Sequence, residues 1–274
     1  MINLIFRKTK AYLKKIFKFF YKESGYSIII NSIPKSGTHF AEQFFININE
    51  VKNFDYFIAQ QPTFPHRVRS EKKMKSMVSN IKNAELVRAH IHYSDKINSL
   101  LFKKNILMIF IYRDPRDIAI SEAYYLYSMN KFHSAHKYFK KEKTHKDRLK
   151  LSIEGINSTR IDFKNIGGRI NPYIEWKTKK LDNVLALSFE EMKNDIDRVI
   201  YLIYNFLLEK EFFKNKNISL EIFSKKVKKS INPKKSHTFR KGKTEKWKSE
   251  FDSVLLDIFY KNDRNVTEKL GYKK

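Results

Sequence analysis

Apolar and polar positions along this chain follow two periods, and the two periods alternate. Short apolar runs rich in β-branched residues predict buried strands at 27–33, 85–91, 105–112 and 184–189. Apolar residues at helical spacing predict helices at 4–22, 39–48, 117–127, 172–180, 190–208 and 250–270. Strands that alternate with helices in this way predict a three-layer α/β/α fold with a central parallel sheet.

The segments between these elements have weaker patterns. Residues 51–80 are mixed, and Gly167-Gly168 predicts a turn. Residues 131–150 are rich in Lys and His and predict an exposed lobe, and residues 209–247 are Lys-rich and predict a loop-like region. In a parallel α/β sheet, ligands collect at the carboxyl ends of the strands, so the loops that follow the strands hold the candidate chemistry.

The first 24 residues form a basic amphipathic segment ahead of a single predicted domain at 25–274. Its predicted helix, 4–22, has two interpretations: it lies on an anionic membrane surface, or it packs its apolar stripe onto its own domain, which is the commoner case. No apolar run reaches the length of a membrane span, and the start lacks the pattern of a signal peptide. We therefore expect a cytoplasmic protein, with peripheral membrane contact through 4–22 as the second interpretation.

The loop after the first predicted strand has the composition of a phosphate site. Gly37 lets the backbone approach a ligand closely, Ser36 and Thr38 supply hydroxyl groups, and Lys35 supplies a positive charge. The start of the helix that follows favours an anion. The Walker pattern of nucleoside-triphosphate P-loops, GxxxxGK[ST], is absent, and an ordinary turn is the alternative interpretation.

Two further basic motifs follow later strands or loops. Arg113 leaves the strand 105–112, and Ser121 lies two helical turns further on; an Arg fork with a nearby hydroxyl can hold a phosphate monoester. A helix-capping salt bridge between Arg and Asp is the alternative interpretation of this motif. The basic, glycine-containing segment 239–242 can close over a phosphate, although by itself it also fits a solvated surface.

Composition narrows the partners only partly. The formal net charge is +27, which favours an anionic partner such as nucleic acid, a membrane, an acidic polymer or a nucleotide. The chain has no cysteine, which excludes disulfides, thiolate metal sites and a cysteine nucleophile.

In order and spacing, the three motifs resemble the signature of the sulfotransferases that use 3′-phosphoadenosine 5′-phosphosulfate (PAPS). PKSGTH at 34–39 resembles the family's segment for the 5′-phosphosulfate, and YRDPRDIAIS at 112–121 resembles its segment for the 3′-phosphate. FRKGKTEKWKSEF at 239–251 resembles the C-terminal loop that completes the nucleotide site. SFEEMKNDI at 188–196 is similar to the segment near the adenine. The resemblance spans about residues 27–271.

This resemblance implies PAPS as the co-substrate, adenosine 3′,5′-bisphosphate (PAP) as the product, and no metal. It implies that Lys35 stabilises the sulfuryl group and the bridging oxygen during the transfer. The nucleotide-binding residues that it implies are Lys35, Ser36, Gly37, Thr38, His39, Phe40, Arg113, Ser121, Phe189, Arg240, Lys241 and Gly242.

The chain departs from the family pattern at three places. Phe40 stands where Trp is common, and its ring can still stack on adenine. Phe189 stands where Tyr is common, which removes a hydroxyl contact to the base. Glu245-Lys246 precedes Trp247 where the family usually has Gly-Asp, which puts the closure of the C-terminal loop in question.

The resemblance also implies a catalytic base, His90, because Arg88-Ala89-His90-Ile91 matches the family's strand-end segment. A neutral imidazole can take the proton of an attacking hydroxyl. His92 lies two residues further and would face the same side of a continuing strand, so it is the alternative base. A His-x-His pair could also bind a metal, but no third ligand is evident, and a structural histidine is the plainest alternative.

The acceptor is the least determined part of the function. Segments 51–84 and 131–170 are expected to build its site, and their Lys and His residues suit an anionic or carbohydrate acceptor. The form of the first loop favours a sugar hydroxyl in a glycan or glycolipid. The form NSIPKSGTH resembles bacterial and glycan-modifying members, and the Lys, Asn, Ile and Phe bias suggests a bacterial, AT-rich genome. The alternatives are a basic nucleic-acid-binding protein, an ATP-dependent kinase of P-loop-like fold, and an inactive PAPS-fold protein. A recognised nucleic-acid module is absent, so we expect no nucleic-acid partner.

Overall fold

The computed structural model of the chain describes residues 25–213, 217–232 and 244–273. The strands are β1 (Ser27–Ser32), β2 (Lys52–Ala59), β3 (Glu85–His90), β4 (Ile106–Tyr112) and β5 (Val184–Ser188). The α-helices are α1 (Thr38–Gln43), α2 (Glu71–Ser79), α3 (Asp95–Lys103), α4 (Pro115–Tyr124), α5 (His136–Lys141), α6 (His145–Glu154), α7 (Ile166–Ile170), α8 (Glu175–Thr178), α9 (Phe189–Asn194), α10 (Ile196–Glu209), α11 (Leu220–Ser230), α12 (Trp247–Glu250), α13 (Ser253–Asp263) and α14 (Val266–Lys269). A π-helical turn at Tyr125–Met129 continues α4, and a 3-10 turn at Asn171–Tyr173 precedes α8.

The described strands form one parallel sheet with the order β2-β3-β1-β4-β5. Neighbouring residues of β1 point to opposite faces, and both faces are covered because Ile28, Ile29 and Ile30 are all fully buried. Ile28 and Ile30 pack in the cluster that contains α1, α10 and α11, while Ile29 packs in the cluster that contains α2, α3 and α4. The predicted α/β/α fold with a central parallel sheet is thus confirmed.

The segment 51–80, whose sequence pattern is mixed, holds a strand, the loop expected at 61–65 and a helix. β2 lies at the edge of the sheet, its register shifts between Asn53 and Phe57, and most of its residues are partly exposed. An edge strand with a bulge loses the regular alternation on which strand prediction depends.

Most residues of 131–150 are exposed or half-buried, as the sequence predicted, but the segment contains two helices that the pattern did not indicate. The helices α5 and α6 bury Phe139 and Leu149, which are 0% and 1% exposed. The loop-like prediction for 209–247 failed at α11, where Phe223 and Val227 are fully buried. Full burial of a Phe side chain contributes about 1.5–3 kcal/mol of stability to the folded state. This packing stabilises α11 although the flanking sequence is rich in Lys.

Several predicted helices end earlier than the pattern indicated. The helix after β5 divides at Asp195, whose side chain accepts the Arg198 N–H at 3.0 Å and so caps α10.

The prediction of a turn at Gly167-Gly168 was wrong, because both residues lie inside α7. A Cβ at Gly167 would come within 2.5 Å of the Asn262 carbonyl oxygen. The glycine is therefore required by the close approach of α7 to α13.

Among the residues that the structure describes, no helix is both long and apolar enough to cross a bilayer. The predicted amphipathic helix 4–22 lies outside the described residues, as do Arg240, Lys241 and Gly242. The division at residue 24 therefore stays a prediction.

Candidate active site

A cavity of about 700 Å³ opens at the carboxyl edge of the sheet, beyond the ends of β1, β3, β4 and β5. The sequence-predicted residues that line it are Lys35, Gly37, Thr38, His39, Phe40, His90, Arg113, Ser121 and Phe189. Four neighbouring strands thus bring together side chains that are up to 154 residues apart in sequence, as from Lys35 to Phe189. Parallel strands end at the same edge, which is the physical reason for this convergence.

The loop between β1 and α1 is held in a left-handed conformation. Lys35 has φ 71° and Gly37 has φ 96°, which are values that favour glycine and cost free energy at Lys35. A Cβ at Gly37 would lie 2.5 Å from Cδ2 of Phe189, so this position excludes any larger residue. Thr38 begins α1, and the amides of a first helical turn have no partner within the helix.

Ser36 is the one member of this loop that the structure places away from the cavity lining. It is fully buried, and its amide donates to the Ile33 carbonyl at 3.1 Å. Within the described residues, its Oγ has no hydrogen-bond partner. A buried hydroxyl without a partner is costly, and a bound anion's oxygen would satisfy it. The loop therefore fits the phosphosulfate end of the nucleotide.

The Lys35 ammonium lies over the ring of Tyr125, with 3.6 Å from Nζ to the ring centroid. Desolvation by burial, together with the Arg113 charge, lowers the pKa of Lys35 to about 7, although Glu122 opposes the shift. A cation held at this cost is poised to gain from an anionic ligand. Tyr125 itself was not predicted from the sequence, because it lies in a π-helical turn that follows an ordinary helical pattern.

Arg113 lines the cavity after β4 and is fixed on two sides. Its Nη2 donates to Asp117 at 2.9 Å, its Nε lies 3.9 Å from Glu190, and its guanidinium lies 4.5 Å from the centre of the Phe189 ring. Desolvation raises the pKa of Asp117, and the nearby Arg113 opposes that rise. Ser121 faces the same cavity from α4.

The alternative interpretation of this motif, a capping salt bridge, applies to its second arginine. Asp114 caps α4 by accepting the Arg116 N–H at 2.9 Å and pairs with the Arg116 guanidinium at 2.7 Å. The centre of the Trp247 ring lies 3.6 Å from that guanidinium. The backbone N–H of Trp247 donates to the Asp117 carboxylate at 3.1 Å. The described part of the C-terminal motif, 244–251, is thus anchored on α4 although Glu245-Lys246 stands where the family usually has Gly-Asp, and Lys246 lines the cavity.

Two aromatic rings form the side of the cavity next to α1. Phe40 and Phe189 meet edge to face with 6.3 Å between ring centroids, and both line the cavity. His39 lies beside them and contacts the Arg88 guanidinium at 3.0 Å through Nδ1. Arg88 in turn pairs with Glu42 at 3.1 Å. The hydrogen bond to His39 and the ion pair with Glu42 link α1 to β3, the strand that ends at His90.

His90 has a defined tautomer. Its Nδ1 lies 2.8 Å from the Ser32 carbonyl oxygen, which can only accept a hydrogen bond, so the Nδ1 carries the proton and Nε2 keeps its lone pair. Desolvation by burial, with the charges of His39, Lys35 and Arg88, lowers the pKa of His90 to about 4. The imidazole is therefore neutral at pH 7. Ser32 also bonds Thr38 at 2.6 Å, which connects the base to the phosphate loop.

His92 lines the same cavity beyond the end of β3. Its ring meets Tyr173 edge to face at 4.8 Å, and desolvation together with Lys164 lowers its pKa to about 4. It too is neutral at pH 7, so protonation alone does not separate the two histidines. The two histidines differ in their contacts. The ring of His90 is hydrogen-bonded to Ser32 in β1, the strand that leads into the phosphate loop, whereas the ring of His92 contacts Tyr173.

The end of the cavity away from the nucleotide loop is built by segments that carry no recognisable motif. Its polar lining residues are Gln61, His66, His133, Asp162, Lys164, Arg169 and Glu122. Arg169 pairs with Glu122 at 2.5 Å although 47 residues separate them. These residues come from within or close to the two segments, 51–84 and 131–170, that the sequence assigned to the acceptor. Among the described residues, no group of three His, Asp or Glu side chains could hold a metal ion.

The fold and the cavity define the class of protein first: an α/β enzyme that holds a phosphorylated nucleotide at the carboxyl edge of its parallel sheet. A family model for the sulfotransferase domain matches residues 26–270, and the chain belongs to this family. It is a PAPS-dependent sulfotransferase.

Individual relatives are distant but cover most of the chain. Mouse (Mus musculus) sulfotransferase 1E1 is 21% identical over 252 residues, which are 85% of this chain and 80% of the relative. The structure of mouse sulfotransferase SULT7A1 in complex with PAP is similar with a TM-score of 0.58 at 18% identity, covering 93% of this chain and 90% of that one. Retinol dehydratase in complex with androsterone and PAP is similar with a TM-score of 0.51 at 16% identity, covering 96% and 86%.

Proposed function

We propose that this sulfotransferase transfers the sulfuryl group of PAPS to a carbohydrate hydroxyl, with His90 as the base. The observation that supports this most is the neutral His90, with its lone pair on Nε2, in the same cavity as the cationic Lys35. PAPS supplies an activated sulfuryl group and a phosphate leaving group. Sulfuryl transfer, like phosphoryl transfer, depends on positioning and on stabilisation of charge.

The residues divide this work as follows. His90 Nε2 accepts the proton of the acceptor hydroxyl as its oxygen bonds to sulfur, and Lys35 stabilises the negative charge that the leaving 5′-phosphate oxygen gains. The backbone groups of 36–38 and the Thr38 hydroxyl hold that phosphate, and the Ser36 hydroxyl, which is buried beside the lining, joins them only if the loop adjusts on binding. Arg113 and Ser121 hold the 3′-phosphate, and Arg240, Lys241 and Gly242 are proposed to join them from outside the described residues.

The catalytic base, His90, lies against the phosphate loop. The adenine ring is proposed to lie against Phe40 and Phe189. These two rings meet at the β5 side of the loop, next to Arg113. An aromatic ring can stack on adenine whether or not it carries a hydroxyl group. Phe at both positions therefore preserves the stacking and loses only the polar contact that a Tyr hydroxyl would add. His39 completes this side through its contact with Arg88.

The proposed carbohydrate acceptor rests on the polar end of the cavity. His133 Nδ1 accepts the Ala135 N–H at 3.0 Å, so its Nε2 carries a proton, whereas His66 Nδ1 lies 3.1 Å from the Pro62 carbonyl, so its Nε2 is an acceptor. The two rings lie 4.5 Å apart. Among the described residues His66 Nε2 is buried without a hydrogen-bond partner, which a hydroxyl that reaches it would satisfy. Asp162 and Lys164 extend the polar surface.

Nucleotide selection tests the PAPS site. We expect the wild-type protein to bind PAP at least about tenfold more tightly than AMP, and Arg113→Ala to remove that difference, because a fork on the 3′-phosphate is lost. Isothermal titration of both nucleotides measures it. Arg198→Ala is the matched control, since it removes one exposed cation away from the cavity. Retained AMP binding shows that the Arg113→Ala protein is folded; an unchanged preference for PAP contradicts the role of Arg113.

Acceptor class is tested separately. Radiolabelled PAPS is incubated with the protein and with equal concentrations of an oligosaccharide mixture, simple phenols and sterol alcohols. We expect the label in the oligosaccharide fraction at least about tenfold above either apolar class, because an apolar acceptor would take water from the polar lining without replacing its hydrogen bonds. Preferential labelling of phenols or sterols would reject the carbohydrate proposal while leaving the sulfotransferase activity established.

A further inference from the structure

The mouth of the cavity carries two unusually exposed aromatic side chains. Phe132 is 89% exposed and Phe64 is 77% exposed, the highest values among the large hydrophobic residues that the structure describes. Their loops are joined, because both the amide and the hydroxyl of Ser134 donate to the Thr63 carbonyl, at 3.3 and 3.2 Å. The rings of His66 and His133, two residues from Phe64 and one residue from Phe132, are in tilted contact at 4.5 Å and join the same two loops.

The apolar surface continues from these tips into the cavity. Val68 is 44% exposed and Met129 is 43% exposed, and both also line the cavity. We call Phe64, Val68, Met129 and Phe132 the apolar rim. Soluble proteins rarely leave such a group of side chains in water next to a binding site unless it contacts a partner.

The two segments that carry the apolar rim have charges of one sign. The two segments that carry it, 60–69 and 129–141, contain six Lys or Arg residues and no Asp or Glu. Five of the six are exposed, namely Arg67, Lys131, Lys137, Lys140 and Lys141. The sixth, Arg69, turns inward and donates to the Ala59 carbonyl at 2.9 Å. Exposed aromatic tips on two segments whose charged residues are all cationic complement a surface that is apolar inside and negatively charged outside, which describes an anionic lipid bilayer.

We propose that the apolar rim docks onto an anionic lipid surface, with Phe64 and Phe132 inserted, so that the cavity receives its acceptor from the membrane. The acceptor class that follows is a lipid-anchored sugar whose head group enters between the two loops. This acceptor class rests on the carbohydrate function proposed above, whereas the docking itself does not. The binding residues are distinct from the segment 4–22.

Vesicle co-sedimentation of the full chain tests the docking. We expect strong binding to vesicles of phosphatidylcholine with a quarter of phosphatidylglycerol and weak binding to phosphatidylcholine alone. The double variant Phe64→Ser/Phe132→Ser should bind the anionic vesicles at least about tenfold more weakly, because two apolar side chains no longer leave water. Phe102→Ser is the matched control, since Phe102 is 64% exposed on α3 and does not line the cavity. Unchanged vesicle binding of the double variant overturns the proposal, even if 4–22 also binds lipid.

Insertion has a direct readout. In separate proteins, Phe132→Trp and Phe102→Trp are compared for fluorescence quenching by brominated lipid, against the same background of native tryptophans. We expect strong additional quenching only for Phe132→Trp; equal quenching of the two overturns the proposal. If lipid-free wild-type protein is a dimer that Phe64→Ser/Phe132→Ser dissociates, and vesicle binding is unchanged, the rim is a self-association surface instead.

The same double variant separates this inference from the proposed function. Neither Phe64 nor Phe132 lines the cavity, so transfer to a water-soluble oligosaccharide should stay within about twofold of wild type. Transfer to a lipid-anchored sugar in anionic vesicles should fall with the loss of vesicle binding. Equal transfer to the vesicle-borne sugar by both proteins counts against docking, while absence of transfer to any sugar by the wild type counts against the carbohydrate function.

Discussion

Replacing His90 with Asn is expected to lower the turnover of PAPS with its acceptor by about 10²- to 10⁴-fold, the usual contribution of a general base. Asn is the informative replacement because its side-chain amide can still donate to the Ser32 carbonyl, as His90 Nδ1 does at 2.8 Å. The hydrogen bond that orients the residue is therefore retained, and only the lone pair of Nε2 is lost. Steady-state rates measured with saturating PAPS give the effect on kcat.

PAP affinity is the control for this variant. We expect it to change by less than about threefold, because His90 contacts the phosphate loop only through Ser32 and has no charge to offer at pH 7. His92→Asn is the matched variant, since His92 is also neutral, lines the same cavity and differs in its partner, Tyr173. If His92→Asn loses activity and His90→Asn keeps it, His92 is the base and the assignment drawn from the strand-end motif is wrong.

The pH profile adds a second discriminating result. The lowered pKa of His90, about 4, keeps the imidazole unprotonated through the neutral range. A base of this kind loses activity only when the pH falls toward its own pKa, so kcat should be flat from about pH 6 to 8 with respect to this group. A fall of kcat centred near the ordinary pKa of histidine would show that His90 is solvated during turnover.

The nucleotide half of the cavity was predictable because it is local in sequence. Each part is a short segment directly after a strand, and the parallel sheet brings those segments together without further information. The phosphate loop was predictable from Gly37, because glycine is the residue that a left-handed conformation favours. Lys35 and Gly37 both adopt that conformation. What the sequence did not indicate is that Ser36 turns away from the lining.

The acceptor half was not predictable in detail for the opposite reason. Glu122 and Arg169 form an ion pair across 47 residues of sequence, and neither belongs to a motif. His66 and His133 meet because two irregular loops are joined through Ser134. Irregular loops have no periodicity to read, so only the segments could be assigned to the acceptor, and the contacts could not.

The errors in the fold have the same origin. β2 is an edge strand with a register shift, and α11 presents only Phe223 and Val227 to the core within a Lys-rich sequence. Both elements are stabilised by neighbours that are distant along the chain, so tertiary packing outweighs the local pattern. Neither error moves a residue of the nucleotide loop.

Replacing Lys35 with Met is expected to lower kcat by about 10²- to 10³-fold, the size of effect seen when one preorganised stabiliser of a developing anion is removed. Met preserves the length of the side chain and its contact with Tyr125 but carries no charge. We expect the loss in kcat to exceed the loss in PAP affinity, because the charge on the leaving phosphate oxygen is greatest in the transition state. Lys164→Met, which removes a cation at the acceptor end, should change kcat by less than about fivefold.

The same variant tests the titration of Lys35. Burial and Arg113 hold the pKa of Lys35 near 7 in the free protein, so the ammonium is lost as the pH rises above that value. An anionic ligand binds the protonated form more tightly and raises the pKa in the complex. PAP affinity of the wild type should therefore fall between pH 7 and pH 9, by up to about tenfold per pH unit from this single group. The Lys35→Met protein should show a flat profile over that range, which lies above the second ionisation of the phosphates at about pH 6. A wild-type profile as flat as that of the variant would mean that Lys35 stays charged in the free protein, and that the cavity admits more water around Nζ than its burial implies.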